Sequence, residues 1–508
     1  MDLFSNLWLG LQVASEPMTL LYCFAGVLLG TVVGVLHGIG ALAAISLLLP
    51  LTYHIPPTAA IIMLAGVYYG AQYGGSTASI LLNLPGTPSS AVTCLDGYPM
   101  AKKGKAGVAL FVTTIASLVG AMTGLVLLTL FSPMIAEVGL KFGPAEFFSM
   151  MVLGLVAASS MSAGSAAKGL AMVVFGLLLG MVGTDVNSGV ARFSFDVPEL
   201  MDGINLVALA MGLFGVAEVV RCINSADMNR KPEKVTLKSM APSGEEFRAT
   251  VKPMARGSAL GAALGALPGV GPSIAAFMSY AIEKRVAKDP SRFGNGAIEG
   301  ISAPESANNA AAQTAFVPSL SLGIPGDAVM AVMLGALIIH GIQPGPMLIS
   351  EQPALFWGLI VSFAIGNIML VILNLPTIGL WVALLRIPFA WMYPAILVFV
   401  ALGVYSVNNN TFDIFAVAAL GIMGYALMVL RFEPAPLLLG YILGPMLEEN
   451  LRRSLLLSRG DPMVFIERPI SATLLSVTAA MLAWAVWSTI RGQMRAKQAL
   501  DRAQAEAS

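Results

Sequence analysis

Tyr73–Ser90 reads YGGSTASILLNLPGTPSS, and Ser306–Asp327 reads SANNAAAQTAFVPSLSLGIPGD. Both stretches are crowded with Gly, Pro, Ser, Thr and Asn, and both lie in strongly apolar surroundings. Residues that break helices are tolerated at membrane depth where the freed backbone is buried in protein or lines a watery cavity. Two such interruptions at corresponding places in two halves point to a transporter's binding region. The expected fold is an all-α polytopic membrane protein, two repeats each carrying a re-entrant or broken helical hairpin.

The surrounding composition agrees. Of 508 residues 57% are hydrophobic and 11% charged, where a soluble domain carries about a quarter charged. Pro17–Leu95 contains no Asp, Glu, Lys or Arg. Further charge-free runs cover Ala106–Ala136, Phe147–Ala167, Gly257–Ile282, Gln352–Leu385, Ile387–Phe412 and Pro469–Ile490. At about 20 residues per span, these give about ten to twelve transmembrane or part-spanning helices. A net charge of +0 offers no basis for a nucleic-acid partner. Cys23, Cys94 and Cys222 are scattered, without metal or disulfide spacing. No basic n-region opens the chain, so no cleavable signal peptide is expected; Asn6–Ala14 reads as a short interfacial helix, with the first span starting near Met18.

The two stretches sit in matching frames. Gly30, Gly34, Gly38 and Gly40 align with Gly261, Gly265, Gly269 and Gly271; Ser79 aligns with Ser319, Leu84-Pro85-Gly86 with Ile324-Pro325-Gly326, and Ala109-Leu110-Phe111 with Ala354-Leu355-Phe356. An offset that persists at 231 to 245 residues points to duplication. The expected organisation is a first repeat over 1–223, a polar cytoplasmic linker over 224–252, a second repeat over 253–490 and a cytoplasmic tail over 491–508. Arg221–Arg256 holds eight basic residues against four acidic ones, and Lys102, Lys103 and Lys105 follow the first stretch, which places these loops in the cytoplasm. An inverted relation of the repeats is preferred, because both hairpins then meet at the midplane.

Local signals assign elements. Pro56-Pro57 starts a helix running towards Gly70, followed by a small, polar segment at Gly74-Gly75-Ser76-Thr77. Thr87-Pro88 reads as N-cap and N1 of a new helix, whose first N–H groups and the Ser89 and Ser90 hydroxyls form an anion site if they face a cavity. Ser302-Ala-Pro-Glu305 reads as a capping box opening a helix that ends near Pro318, and Asp327 caps the next one, Ala328–His340. Glu305 and Asp327 each have two readings, a helix cap or an ion or proton site. Asp96, near Lys102 and Lys103, reads as a membrane-interface residue. His37, His54 and His340 show no ligand spacing, and Glu433–Pro436 with Leu439–Pro445 suggests another broken helix.

The Tyr73–Gly104 run, YGGSTASILLNLPGTPSSAVTCLDGYPMAKKG, resembles the signature of the large membrane subunit of tripartite tricarboxylate transporters. LPGVGPSIAAFMSYAIEK (Leu267–Lys284) and ESANNAAAQTAFVPSLSLGIPGDAVM (Glu305–Met330) are similar to that family's second-half motifs. The resemblance implies a multi-pass permease of the bacterial inner membrane that works with a small four-span subunit and a periplasmic solute-binding protein. It implies import of di- or tricarboxylates, citrate-like organic acids, with sodium or protons as coupling ion and without other cofactors. On the matching motifs, the candidate substrate residues are Ser76, Thr77, Pro85, Gly86, Thr87, Ser89, Ser90, Asn308, Asn309, Pro325 and Gly326. The candidate ion-coupling residues are Asn83, Thr314, Ser319, Ser321 and Asp327. Two rival classes are a passive organic-anion channel and an intramembrane hydrolase. The second lacks a paired Asp for Asp327 and a Ser/His pair.

Overall fold

The computed structural model describes residues 3–36, 40–139, 141–159, 166–185, 188–223, 235–267, 270–385, 389–484 and 487. His37, Gly38, Gly269, the 224–234 part of the polar linker and the 491–508 tail lie outside the described residues, as does the side chain of Cys222. Among the described residues the protein is all-α apart from one short antiparallel pairing, Gly183–Thr184 with Ala191–Arg192. Among the described residues four helical segments are long and apolar enough to cross a membrane, Pro17–Val35, Cys94–Gly139, Pro353–Asn374 and Thr411–Val429, and seven shorter apolar helices accompany them, among them Gly40–Thr52, Ala328–Ile339 and Pro469–Trp484.

The chain forms two compact units. One comprises Met1–Leu140 and Asn205–Tyr425 and holds both sequence stretches; the other comprises Lys141–Ile204 and Ala426–Ser508. In the second unit the Ala435–Leu457 helix packs on Ala166–Gly180, close enough that a Cβ on Gly176 would lie 1.9 Å from the Leu437 carbonyl oxygen. Ala435–Leu457 is one unbroken helix with Pro445 inside it, so the broken helix expected at Leu439–Pro445 is not there. A proline removes only one intrahelical donor, and the packed turns on either side carry the helix through it. Arg192 bridges Asp185 and Glu448 in the same unit, with Arg452 on the same two carboxylates.

The first unit exposes large apolar side chains and buries many polar ones beside its apolar core. Phe415, Ile422 and Phe399 are 74%, 68% and 71% exposed, whereas Ser76, Asn308, Asn309, Gln313 and Glu305 are buried. Apolar side chains outward and polar ones inward is the pattern that lipid demands.

Two helix pairs build the frame around the polar interior. Gly26, Gly30 and Gly34 of Pro17–Val35 lie against the backbone of Pro57–Leu82; a Cβ on each would fall 2.2, 2.4 and 2.4 Å from the carbonyl oxygens of Met63, Val67 and Ala71. Gly257, Gly261 and Gly265 of Gly244–Gly265 do the same against Glu299–Thr314, at 2.2, 2.1 and 2.4 Å from those of Ala303, Ala307 and Ala311. Small residues at every fourth position let helix backbones touch, which is how association proceeds where lipid supplies no hydrophobic drive.

Two helix boundaries differ from the sequence reading. Pro57–Leu82 is continuous through Gly74-Gly75-Ser76-Thr77, because Gly74 packs on the Thr31 carbonyl rather than turning the chain. Glu299–Thr314 starts one turn before the expected Ser302–Glu305 capping box, and Phe316–Leu322 carries helix through Pro318, where the end was expected. The start is fixed from a distance: Asp96 Oδ1 accepts the N–H groups of Gly294, Gly296 and Ala297 at 2.9, 2.7 and 2.8 Å, and Tyr280 donates to Oδ2 at 3.0 Å. Asp96 is fully buried and acts as a clamp on the turn that precedes this helix.

Candidate substrate and ion site

Each stretch is a long buried helix that stops on a left-handed residue, runs extended for a few residues and restarts on a cap. The first helix ends at Asn83, φ 59°, a residue that tolerates the left-handed region. Leu84-Pro85-Gly86 follows, and Thr87 in extended conformation precedes the short 3-10 turn Pro88–Ala91, with Thr87 N–H donating to Ser90 Oγ at 3.1 Å. The second ends at Gly323, φ 73°, and restarts on Asp327, whose Oδ1 accepts from Met330 N–H at 2.8 Å. The expected cap at Asp327 is present and Ala328–Ile339 follows it, whereas Thr87 stands at the N-cap position of a four-residue 3-10 turn with its hydroxyl bonded to Gln72 and Ser89 instead of capping.

Matched positions do matched work. Gly40 and Gly271 are both left-handed, φ 68° and 64°. Ser79 donates to the Gly75 carbonyl at 3.0 Å and Ser319 to the Ala315 carbonyl at 2.8 Å. A Cβ on Gly86 would meet Gly75 Cα at 2.6 Å, and one on Gly326 would meet Ala315 Cβ at 3.0 Å. Neither Gly86 nor Gly326 has positive φ, so close approach is what selects glycine at both.

The first break carries a hydroxyl cluster. Gln72 Oε1 accepts from Ser89 Oγ at 2.7 Å and Thr87 Oγ1 at 3.3 Å, the two hydroxyls being 3.0 Å apart, and Ser79 donates to the Ser90 carbonyl at 2.9 Å. Asn83 and Pro85 are exposed; Gly86, Thr87, Ser89 and Ser90 are buried. Ser76 and Thr77 are buried on the long helix before the break.

Each break also touches the other stretch's long helix. Thr93, just past the first break, donates to Glu305 Oε1 at 2.5 Å, and Ser117 and Ser76 hydroxyls flank the same carboxyl. Asp327, at the second break, accepts from Tyr68 of Pro57–Leu82 at 2.5 Å through Oδ2. Asp327 is thus both cap and cross-link. Glu305 is the seventh residue of its helix, so the cap reading does not apply to it.

The Glu299–Thr314 helix is the most polar buried element. Ser302, Glu305, Asn309 and Gln313 recur at three- and four-residue spacing and form one stripe. Among the described residues eight buried side-chain polar atoms lack a partner, and five belong to this helix: Ser302 Oγ, Asn308 Nδ2 and Oδ1, Asn309 Oδ1 and Gln313 Oε1. Thr314 donates to the Ala310 carbonyl and Ser321 to the Ser132 carbonyl, while Pro325 and Gly326 are buried.

Sequence reasoning missed Gln72, Thr93, Ser117 and Tyr68. Gln72 had a signal, being the only side-chain amide between Pro17 and Leu82. The other three are common residues in apolar runs, and only long-range packing gives them a role.

Comparison with known proteins follows the motifs. The profile of the tripartite tricarboxylate transporter TctA family matches residues 20–439. The chain is similar to "Uncharacterized 52.8 kDa protein in TAR-I ttuC' 3'region" of Agrobacterium vitis, 52% identical over 493 residues, 97% of this chain and 98% of that one. It is also similar to "Uncharacterized protein in TAR-II ttuC' 3'region" of the same organism, 55% identical over 220 residues, 43% of this chain and 91% of that one. No solved structure matches it. With the match running through both broken helices, the chain belongs to the tripartite tricarboxylate transporter TctA family.

Proposed function

We propose that this chain is the large permease of a secondary active transporter that imports di- or tricarboxylates with sodium or protons by alternating access. It sits in the bacterial inner membrane, pairs with a small four-span subunit and receives substrate from a periplasmic solute-binding protein. Family membership supports the tripartite transport role. The observation that carries the substrate reading is Asn308, whose side-chain Nδ2 and Oδ1 are both buried without a partner, Nδ2 being the donor left free for an anion. A buried polar group without a partner costs about 1–3 kcal/mol, so a helix holding several is built to meet a polar guest.

In this reading Asn308 Nδ2 donates to a carboxylate oxygen. Ser76, Thr77, Thr87, Ser89 and Ser90 supply hydroxyl and backbone donors from the first stretch, with Pro85, Gly86, Asn309, Pro325 and Gly326 shaping the gap. Asn83, Thr314, Ser319, Ser321 and Asp327 serve the coupling ion. The two stretches are halves of a duplication, placed in inverted orientation, so that rocking of one half against the other exposes the site to alternate sides.

The test is uptake in proteoliposomes holding both membrane subunits, with and without the binding protein. Uptake at low substrate requires the binding protein. Asn308→Asp, which sets a negative charge against an anion, raises KM at unchanged membrane expression. Equal uptake without the binding protein, together with an unaltered KM in Asn308→Asp, overturns the reading.

A further inference from the structure

Glu305 is 1% exposed, inside a helix, and without an ion pair among the described residues. Its carboxyl meets only neutral oxygen donors: Thr93 Oγ1 at 2.5 Å, Ser117 Oγ at 3.5 Å and the Ser76 hydroxyl. Asn309, one turn further on, donates to Ser117 Oγ at 2.8 Å and to the Glu305 carbonyl at 3.0 Å, and its Oδ1 is buried without a partner. The ionisable groups facing the carboxyl are Tyr73 from Pro57–Leu82 and Cys94 from Cys94–Met100, neither of them a cation. On the other packed helices Arg256 pairs with Glu283, and the neutral Tyr280 phenol donates to Asp96.

A carboxylate taken out of water without a countercharge is costly, and a hydrogen-bond shell alone does not neutralise it. Two species restore neutrality in such a place. One is a proton on the carboxyl; the other is a small hard cation held by carboxylate, hydroxyl and amide oxygens. The oxygens present here, from Glu305, Thr93, Ser117, Ser76 and Asn309, come from both long helices, the segment after the first break and the Ala106–Gly139 helix. Binding at this point therefore ties four elements together.

We propose that Glu305 is a monovalent-cation site, taking up and releasing one proton or one sodium ion, and that Thr93 and Ser117 position its carboxyl. Only the further step, that this exchange drives import, rests on the transport reading above; cation binding itself does not.

The experiment is thermal unfolding of the purified full-length chain in detergent, followed by tryptophan fluorescence. One arm titrates sodium chloride against choline chloride at constant ionic strength, and the other varies pH between about 5 and 9 in choline chloride. The wild type shifts its melting temperature in one arm, which says whether the cation is sodium or a proton. Glu305→Gln loses that shift, and Glu305→Asp keeps it with a displaced midpoint. A wild type indifferent in both arms overturns the proposal, as does a Glu305→Gln variant that follows the wild type. Should Glu305→Gln not fold, an unaltered midpoint in Glu305→Asp overturns it. None of these readings needs substrate or a gradient, so failure of the transport reading leaves them standing.

Discussion

Thr93 and Glu305, 212 residues apart, are joined by a 2.5 Å hydrogen bond that seats the segment after one broken helix against the long helix of the other stretch. Tyr68 and Asp327 make the reciprocal link, from the other break back to the first long helix. The breaks therefore face opposing helices, and a shift of either stretch must disturb both links.

Asp327 separates capping from ion coupling. Asn caps as well as Asp, and its amide still meets the Tyr68 hydroxyl, so Asp327→Asn is expected to melt within about 1 kcal/mol of the wild type. Asp327→Ala loses the cap and leaves the Tyr68 hydroxyl unpaired, a cost of about 2–4 kcal/mol, read by thermal unfolding. Normal cation-dependent uptake in Asp327→Asn would assign the side chain to structure alone.

Gly86 and Gly326 differ in tolerance. A Cβ on Gly86 would lie 2.0 Å from the Gly34 carbonyl oxygen, a backbone atom that cannot step aside, whereas one on Gly326 meets the Ala315 methyl at 3.0 Å. Gly86→Ala is expected to lower stability and membrane yield sharply, and Gly326→Ala to cost about 1–3 kcal/mol through local overpacking. Equal melting temperatures for the two variants contradict the packing described for the first break.

Asp96 holds three backbone N–H groups and one phenol. Asp96→Ala strands all four, so a loss of at least about 3 kcal/mol is expected. Limited proteolysis checks the location: cleavage should appear first around Gly294–Ala297. Protection there equal to the wild type's contradicts the clamp.

The polar connector carries an acid-sensitive contact. Lys105 donates to Glu246 at 2.8 Å, and the Ser243 N–H donates to the same carboxylate, which together hold it down to about 2 from an ordinary value near 4.5. A lowered folded-state value stabilises above the unfolded one, so the contribution is full above about pH 4.5 and fades as pH falls towards 2. The pair is solvent-accessible, which keeps the effect below about 1 kcal/mol. Lys105→Ala should lower stability at neutral pH by no more than that and flatten the acid limb of the melting curve; a steeper limb contradicts the assignment.

What the sequence revealed was local. Thr87-Pro88 as the restart after the first break and Asp327 as a cap are each decided by the residue's own backbone preference and stand in the structure, whereas the second stretch stops at Gly323 and not near Pro318. The apolar length of Pro17–Val35 and Pro353–Asn374 was equally plain. Tertiary forces hid the rest. Ser302–Glu305 carries the spacing of a capping box, yet Asp96, some 200 residues upstream, starts the helix a turn earlier. Gly74-Gly75 looks like a breaker and is instead the surface on which Pro17–Val35 packs. Glu305 could be named as ionisable and intramembrane, but its hydroxyl shell comes from three other segments and had no sequence signal.

Concentrative import of a carboxylate at the two broken helices is measured most directly as uptake of a labelled tricarboxylate into proteoliposomes holding both membrane subunits, with binding protein outside and an inward sodium or proton gradient. Accumulation above the external concentration is expected, and it collapses when an ionophore dissipates the gradient. Uptake that only equilibrates, at a rate indifferent to the ionophore, would contradict it and describe a channel.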